Sequence, residues 1–148
     1  SPCAAGLYAV PLAALFDHRP PHERGASIRL VSPKPDDVAV EQLLGLAFNP
    51  FDPDDREIYA ADSLQLRVIA INVDTGARRV IADAPRLFNF PSSLSFVSPI
   101  GRVQSLLVAS NQQHRTTLTN DAIDEELLAP PFIVTKLYLL PGRHKHHR

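Results

Sequence analysis

Apolar residues come along this chain in short runs separated by Pro, Asn, Asp and Gly, a pattern that favours strands and tight turns over long helices. Residues 44–49 run apolar, and Asn49-Pro50-Phe51-Asp52-Pro53-Asp54-Asp55 then supplies turn chemistry before a short apolar strand at 57–61. After a polar turn at 63–65, Arg67-Val68-Ile69-Ala70-Ile71-Asn72-Val73 is rich in β-branched residues. Asp74-Thr75-Gly76 predicts another tight turn, and 77–82 returns with Val80 and Ile81. Residues 42–84 therefore predict a four-stranded antiparallel meander.

Comparing the chain with itself extends the pattern. At an offset of 48, Gly45-Leu46-Ala47-Phe48 falls on Ser93-Leu94-Ser95-Phe96, and without a gap Tyr59 to Arg67 falls on Leu107 to Arg115. Two separated blocks matching at one offset predict a repeat, and the period lies near that of a four-stranded propeller blade. The second unit spans 91–142, with strands at 94–96, 105–109 and 135–140 and an acidic insertion at 116–133 that includes Asn120-Asp121-Ala122-Ile123-Asp124-Glu125-Glu126-Leu127-Leu128. A possible N-cap at Asn120 or Asp121 would start a helical turn there, before Pro130-Pro131 stops it. Residues 1–33 read as half a unit: 7–12 resembles the third strand, 27–31 resembles the fourth, and 17–25 is a polar, Pro-rich loop between them. The Ala/Leu-rich stretch at 4–16 reads as core, because Pro11 interrupts it and no basic segment precedes it. The expected fold is all-β, a propeller segment of about two and a half blades in an incomplete ring, with a small independent β-sandwich or barrel as the alternative.

Composition adds constraints. In 148 residues, 45% hydrophobic and 21% charged, fifteen Lys and Arg face sixteen Asp and Glu for a net charge of -1, so no global basic field attracts nucleic acid. No apolar run is long enough for a membrane-spanning helix. Fourteen prolines suit many turns between short elements. Met is absent and the chain opens Ser1-Pro2-Cys3, which reads as a processed product, extracytoplasmic in setting, or as an excerpt of a longer protein. Cys3 is the only cysteine, so no internal disulfide can form.

Ile58-Tyr59-Ala60-Ala61-Asp62-Ser63, Arg67 and Asp74-Thr75-Gly76 resemble a blade of the NHL-repeat and senescence-marker-protein/gluconolactonase-like β-propellers, and Pro91-Ser92-Ser93-Leu94-Ser95-Phe96 resembles the start of another. The resemblance covers residues 44–115. It implies, for the hydrolase-like members, a divalent cation held in the central channel by carboxylates and amides, several from the starts of first strands, acting as a Lewis acid. The matching positions here carry Leu44 and Ser92, and neither supplies the carboxylate a hard cation prefers.

Other candidate chemistry divides between turns and loops. Asp52, Asp54 and Asp55 suggest a calcium cluster but follow ordinary turn chemistry. Asp62 and Arg67 flank a turn and read as a structural pair joined by a charge-assisted hydrogen bond. Asn111, Gln113, His114 and Arg115 form a polar loop suited to contacting a ligand. His144, His146 and His147 lie with Arg143, Lys145 and Arg148 in a basic tail, 143–148, which reads as a disordered end. The chain carries no Gly-x-Ser-x-Gly, phosphate-binding glycine loop, CxxC or HExxH.

The reading that follows is a binding or scaffolding segment without catalytic residues or a cofactor of its own, partnered by other blades of the same protein or by another chain, and prone to associate when isolated. The alternative is part of a metal-dependent lactonase- or esterase-like propeller hydrolase, with a divalent cation and catalytic residues lying largely outside this chain.

Overall fold

The structure, a computed structural model, describes residues 6–37, 40–88, 90–100, 103–111 and 132–139. They form an all-β fold of nine strands in three antiparallel sheets, with two short helices. The first sheet pairs β1 (Gly6–Ala9) with β2 (Arg29–Pro33). The second is the meander β3 (Leu43–Phe48), β4 (Glu57–Asp62), β5 (Arg67–Asn72) and β6 (Arg78–Asp83). The third orders β7 (Pro91–Ile100), β8 (Val103–Asn111) and β9 (Phe132–Leu139).

Four details differ from the sequence reading. Phe132 and Ile133, assigned above to the insertion, open β9, where the β-branched run Ile133-Val134-Thr135 pairs with Ala109 and its neighbours on β8. The rest of that insertion, the tail 143–148 and Cys3 lie outside the described residues. The polar loop at 17–25 contains a helix, α2 (Pro21–Gly25), whose Pro21 supplies the fixed φ that suits a first turn. Strand β1 ends at Ala9 instead of reaching residue 12, because Pro11 offers no N–H to a ladder and opens α1 (Leu12–Leu15). The stretch read as core is largely surface: Ala14 is buried, while Leu12, Leu15 and Phe16 are exposed.

Both faces of the second sheet are covered at its central strands, β4 and β5. On one face Tyr59, Ala61, Val68 and Ala70 pack against Phe88, Leu94, Leu106 and Val108 of the third sheet and its entry loop. The Tyr59 and Phe96 rings meet edge to face there, with centroids 5.0 Å apart. On the other face Ile58, Ala60, Ile69 and Ile71 pack on Leu7 and Val31 of the first sheet. This two-sided burial explains why β4 and β5 read as near-continuous apolar runs, without the alternation of a half-exposed strand.

The repeat seen in sequence recurs as register. Leu43, Leu46, Ala47 and Phe48 pair with Asp62, Ala60, Tyr59 and Ile58. Forty-eight residues on, Pro91, Leu94, Ser95 and Phe96 pair with Ser110, Val108, Leu107 and Leu106. Each pair of strands carries a bulge near its start, at Gly45 in β3 and at Ser92 in β7. The first sheet matches β5–β6 in the same way: Leu7 opposite Ser32 and Tyr8 opposite Leu30 reproduce Val68 opposite Ala82 and Ile69 opposite Val80, with the bulge at the same step.

Stacking is closest at one edge. The backbone of β3 lies against β7, with β4 next, and no comparably close approach joins β6 to β9. Gly45, at φ +55°, makes the approach possible, because a Cβ there would lie 2.6 Å from Ser93 Cα.

Candidate functional site

The sequence-derived candidates gather where β4 and β8 end and β7 begins. Asp62, the last residue of β4, is fully buried and accepts from Arg67 Nε at 3.0 Å across the β4–β5 turn. Its other oxygen accepts the Gln65 backbone N–H at 3.4 Å. Both carboxylate oxygens are thereby engaged within the turn, which also holds Leu66 at φ +53°, with its side chain against the core between the second and third sheets. Ser63 follows. Its N–H donates to Gln42 O at 3.0 Å and its hydroxyl donates to Pro91 O, so one residue ties the second sheet to the start of β7.

The third sheet repeats this corner with different groups. Ser110 stands at the place of Asp62, and Asn111 follows it as the last residue of β8. The Asn111 N–H donates to Phe90 O at 3.2 Å and its Nδ2 donates to Ser92 Oγ at 3.1 Å. Ser92 in turn reaches Ala109 O at 3.5 Å. Ser110 is 2% exposed, and its hydroxyl has no hydrogen-bond partner among the described residues. Gln113, His114 and Arg115 lie outside the described residues, so of the four loop candidates only Asn111 is placed.

These side chains join backbone to backbone and offer hydroxyl and amide groups at one rim. Leu44 and Ser92, the positions at which the propeller resemblance implies metal ligands, do not fit a hard cation: Leu44 has no donor, and the Ser92 hydroxyl is engaged by Asn111. Among the described residues no group of three or more His, Cys, Asp or Glu side chains is arranged to hold a metal ion.

At the opposite end of β4 lies a polar network that the sequence reading did not assemble. Asn49, 7% exposed, donates from Nδ2 to Gln104 Oε1 of β8 at 2.8 Å and to Asp55 Oδ2 at 3.2 Å, while its Oδ1 accepts the Phe51 N–H at 3.1 Å. The Tyr59 hydroxyl donates to Asp55 Oδ2 at 3.2 Å, and Arg79 Nε donates to Glu57 Oε1 at 2.8 Å. Burial raises the Tyr59 pKa, and the Asp55 and Glu57 carboxylates add to it. The Arg79 hydrogen bond holds the Glu57 carboxyl below its usual range against the opposing effect of burial. Asp52 and Asp54, weighed above as cation ligands, serve the loop instead, Asp52 Oδ1 accepting the Asp54 N–H at 3.2 Å. The sequence signal for this network was an Asn just before a Pro, but Gln104 is 55 residues away and nothing local links the two.

A cleft of about 350 Å³ opens between the first and second sheets, lined by Ser32, Pro33, Lys34, Pro35, Asp36, Gly76 and Arg78. Arg78, its most basic wall, is engaged: Nε donates to Ser32 Oγ at 2.7 Å, and the guanidinium pairs with the buried Glu41 carboxylate. Ser32 Oγ donates to Gly76 O at 2.9 Å, so this corner clasps two sheets.

No family model, no curated protein and no solved structure matches the chain.

Proposed function

We propose that this chain is a run of propeller-type blades that binds and scaffolds and carries no catalytic centre of its own. The observation that supports the reading best is the recurrence, at an offset of 48 residues, of one strand register in two sheets that lie closest along their first strands, β3 and β7. Blades arranged around an axis converge at their first strands and diverge at their last, whereas sheets of a flat sandwich keep one spacing of about 10 Å. The polar groups at the strand-end rim engage one another and the backbone, which suits a rigid platform whose loops make the contacts.

The experiment is a pair of spin-label distances in a chain whose Cys3 is replaced by Ser. One pair sits on Leu46 and Ser95, the other on Val80 and Lys136, all exposed strand positions. The expected result is a clearly longer distance for the outer pair. Equal distances would discard the blade arrangement. Divalent-metal-dependent hydrolysis of a lactone or ester by the purified chain would discard the non-catalytic role in favour of the hydrolase alternative.

A further inference from the structure

We propose that the cleft between the first and second sheets receives the flat aromatic side chain of a partner polypeptide, tryptophan above all; the inference concerns this cleft alone and stands whether or not the sheets are propeller blades.

The guanidinium of Arg78 decides the class of ligand. It holds five N–H groups in one plane. Among the described residues four of them are engaged: Nε donates to Ser32 Oγ at 2.7 Å, Nη2 to Ser32 O and to Glu41 Oε2, each at 3.4 Å, and Nη1 to Glu41 Oε1. The Glu41 side chain is 2% exposed, so its carboxylate stays with this partner and offsets its charge. A ligand phosphate or carboxylate needs the edge of the guanidinium fork and a net positive charge, and the cleft offers neither. What Arg78 has left for a ligand is the flat face of the group, and that face suits an aromatic ring, tryptophan best of all.

The other walls agree. Pro33 and Pro35 contribute rigid apolar rings, and Gly76 contributes backbone alone, at φ +72° and so close to β2 that a Cβ would strike Val31 O. Lys34, whose Nζ donates to Pro35 O at 2.9 Å, and Asp36 bring charges of opposite sign to the same walls. Together they match the N–H and C=O groups of a neutral peptide better than they match a free ion. With Arg78 and Ser32 tied down and the prolines stiff, the cleft is formed before a ligand arrives, so little ordering is lost on binding. At about 350 Å³ it is at the small end of ligand sites, and it is open to solvent on one side. One ring can therefore enter while still attached to its chain.

The chain contains no tryptophan, so N-acetyl-tryptophanamide added to the intact 148-residue chain is followed by its own fluorescence. The expected result is a saturable blue shift of the indole emission, with ring-current shifts at the Arg78 Nε–H and the Gly76 N–H in nitrogen-15 spectra. N-acetyl-leucinamide at the same concentrations moves neither resonance, and indole without peptide groups binds more weakly than the amide. Arg78→Lys keeps a cation for Glu41 but has no plane to stack on, and it weakens binding at least about threefold. Pro35→Ala removes one wall and weakens binding in the same direction. Far-ultraviolet circular dichroism confirms that each variant is folded, and Pro35→Ala carries the test if Arg78→Lys is not. Absence of a saturable shift overturns the proposal, as does resonance movement confined to other parts of the chain. Full binding by both folded variants overturns it too, and indole binding as tightly as the amide overturns the assignment to a polypeptide. The spin-label pairs on Leu46, Ser95, Val80 and Lys136 do not involve the cleft, so this proposal and the blade reading fail separately.

Discussion

The backbone of Ser93 occupies the space where Gly45 would carry a Cβ: an added atom would stand 2.6 Å from Ser93 Cα and 2.8 Å from Ser92 O. Two sheets therefore meet at a glycine whose φ of +55° other residues adopt only at a cost. Gly45→Ala meets both penalties at once, and neither is relieved by rotating a side chain, because the obstacle is backbone. The expected loss is about 2–4 kcal/mol, read as a lower urea midpoint at an unchanged slope. A loss below about 1 kcal/mol would mean that β3 and β7 part easily and that the close edge is not a fixed feature of the stack.

The Asp62–Arg67 pair yields an asymmetric expectation. The Asp62 side chain is 0% exposed, while that of Arg67 is 23% exposed. Arg67→Ala strands a buried carboxylate and should cost about 3–5 kcal/mol. Asp62→Asn keeps one acceptor oxygen, turns the other into an NH2 that faces a donor, and leaves a guanidinium that can turn to water, so its cost should be about 1–3 kcal/mol. Urea unfolding of the two variants checks the order. Equal losses would show that the pair acts only through the shape of the turn.

What could be read in the sequence follows from where like residues repeat. The first and second strands of two units carry the same side chains at one offset because they hold the same register places, as Phe48 and Phe96 or Ala61 and Ala109 show, although Phe96 meets the Tyr59 ring and Phe48 is exposed. The third strands were harder. Val134 corresponds to Val68 only after the chain between Asn111 and Phe132 is set aside, and Leu7 corresponds to Val68 at yet another offset. The Ala/Leu-rich stretch at 4–16 reads as core in sequence, but the single turn of α1 buries only one side, at Ala14, and leaves Leu12, Leu15 and Phe16 exposed. The Asn49–Gln104 contact was invisible for a different reason: both residues are common on surfaces, and only the stacking of two sheets brings their amides to 2.8 Å.

Acid should weaken the fold partly through Glu57. The Arg79 hydrogen bond lowers its carboxyl pKa, with a further contribution from the Tyr59 hydroxyl. A carboxyl lowered on folding stabilises fully above the pKa of an unfolded Glu, about 4.3, and that contribution is lost as pH falls through the lower folded value. The urea midpoint of the original chain should therefore drop more between pH 7 and pH 3 than that of Glu57→Gln. The variant keeps part of the drop, because hydrogen bonds to Arg19 and Arg56 lower Asp17 and Asp74 in the same direction. Parallel acid limbs would show that Arg79 solvates Glu57 no better than water does.

Alkali acts through Tyr59 with the opposite sign. Burial in the inter-sheet core, with the Asp55 and Glu57 carboxylates nearby, raises its pKa. A group raised on folding stabilises fully below its unfolded pKa, about 10 for Tyr, and the contribution fades as pH climbs above that value toward the folded one. The phenolate absorbance that Tyr59→Phe removes should thus rise above pH 10, together with the loss of the near-ultraviolet circular dichroism signal. A Tyr59 that ionised near pH 10 in the folded chain would mean that water reaches its hydroxyl between the sheets.

Ser110 supplies a case in which removing a polar atom should help. Its hydroxyl lies at the place where the second sheet has Asp62, yet among the described residues it has no counterpart of the Arg67 that pairs with that carboxylate, and Ile133 stands at the corresponding position on β9. A buried hydroxyl without a hydrogen bond has lost its water and gained nothing in exchange, a penalty of about 1–3 kcal/mol relative to an apolar group of similar size. Ser110→Ala deletes that atom and leaves a cavity no larger than the hydroxyl itself, so part of the gain is returned as lost packing. The net expectation is a chain more stable by about 1 kcal/mol, with an unchanged urea slope and a higher midpoint. A destabilised Ser110→Ala would show that the hydroxyl has a partner in solution at this corner. The strand-end rim would then hold an ordered water or a ligand group between Ser110 and the neighbouring strand.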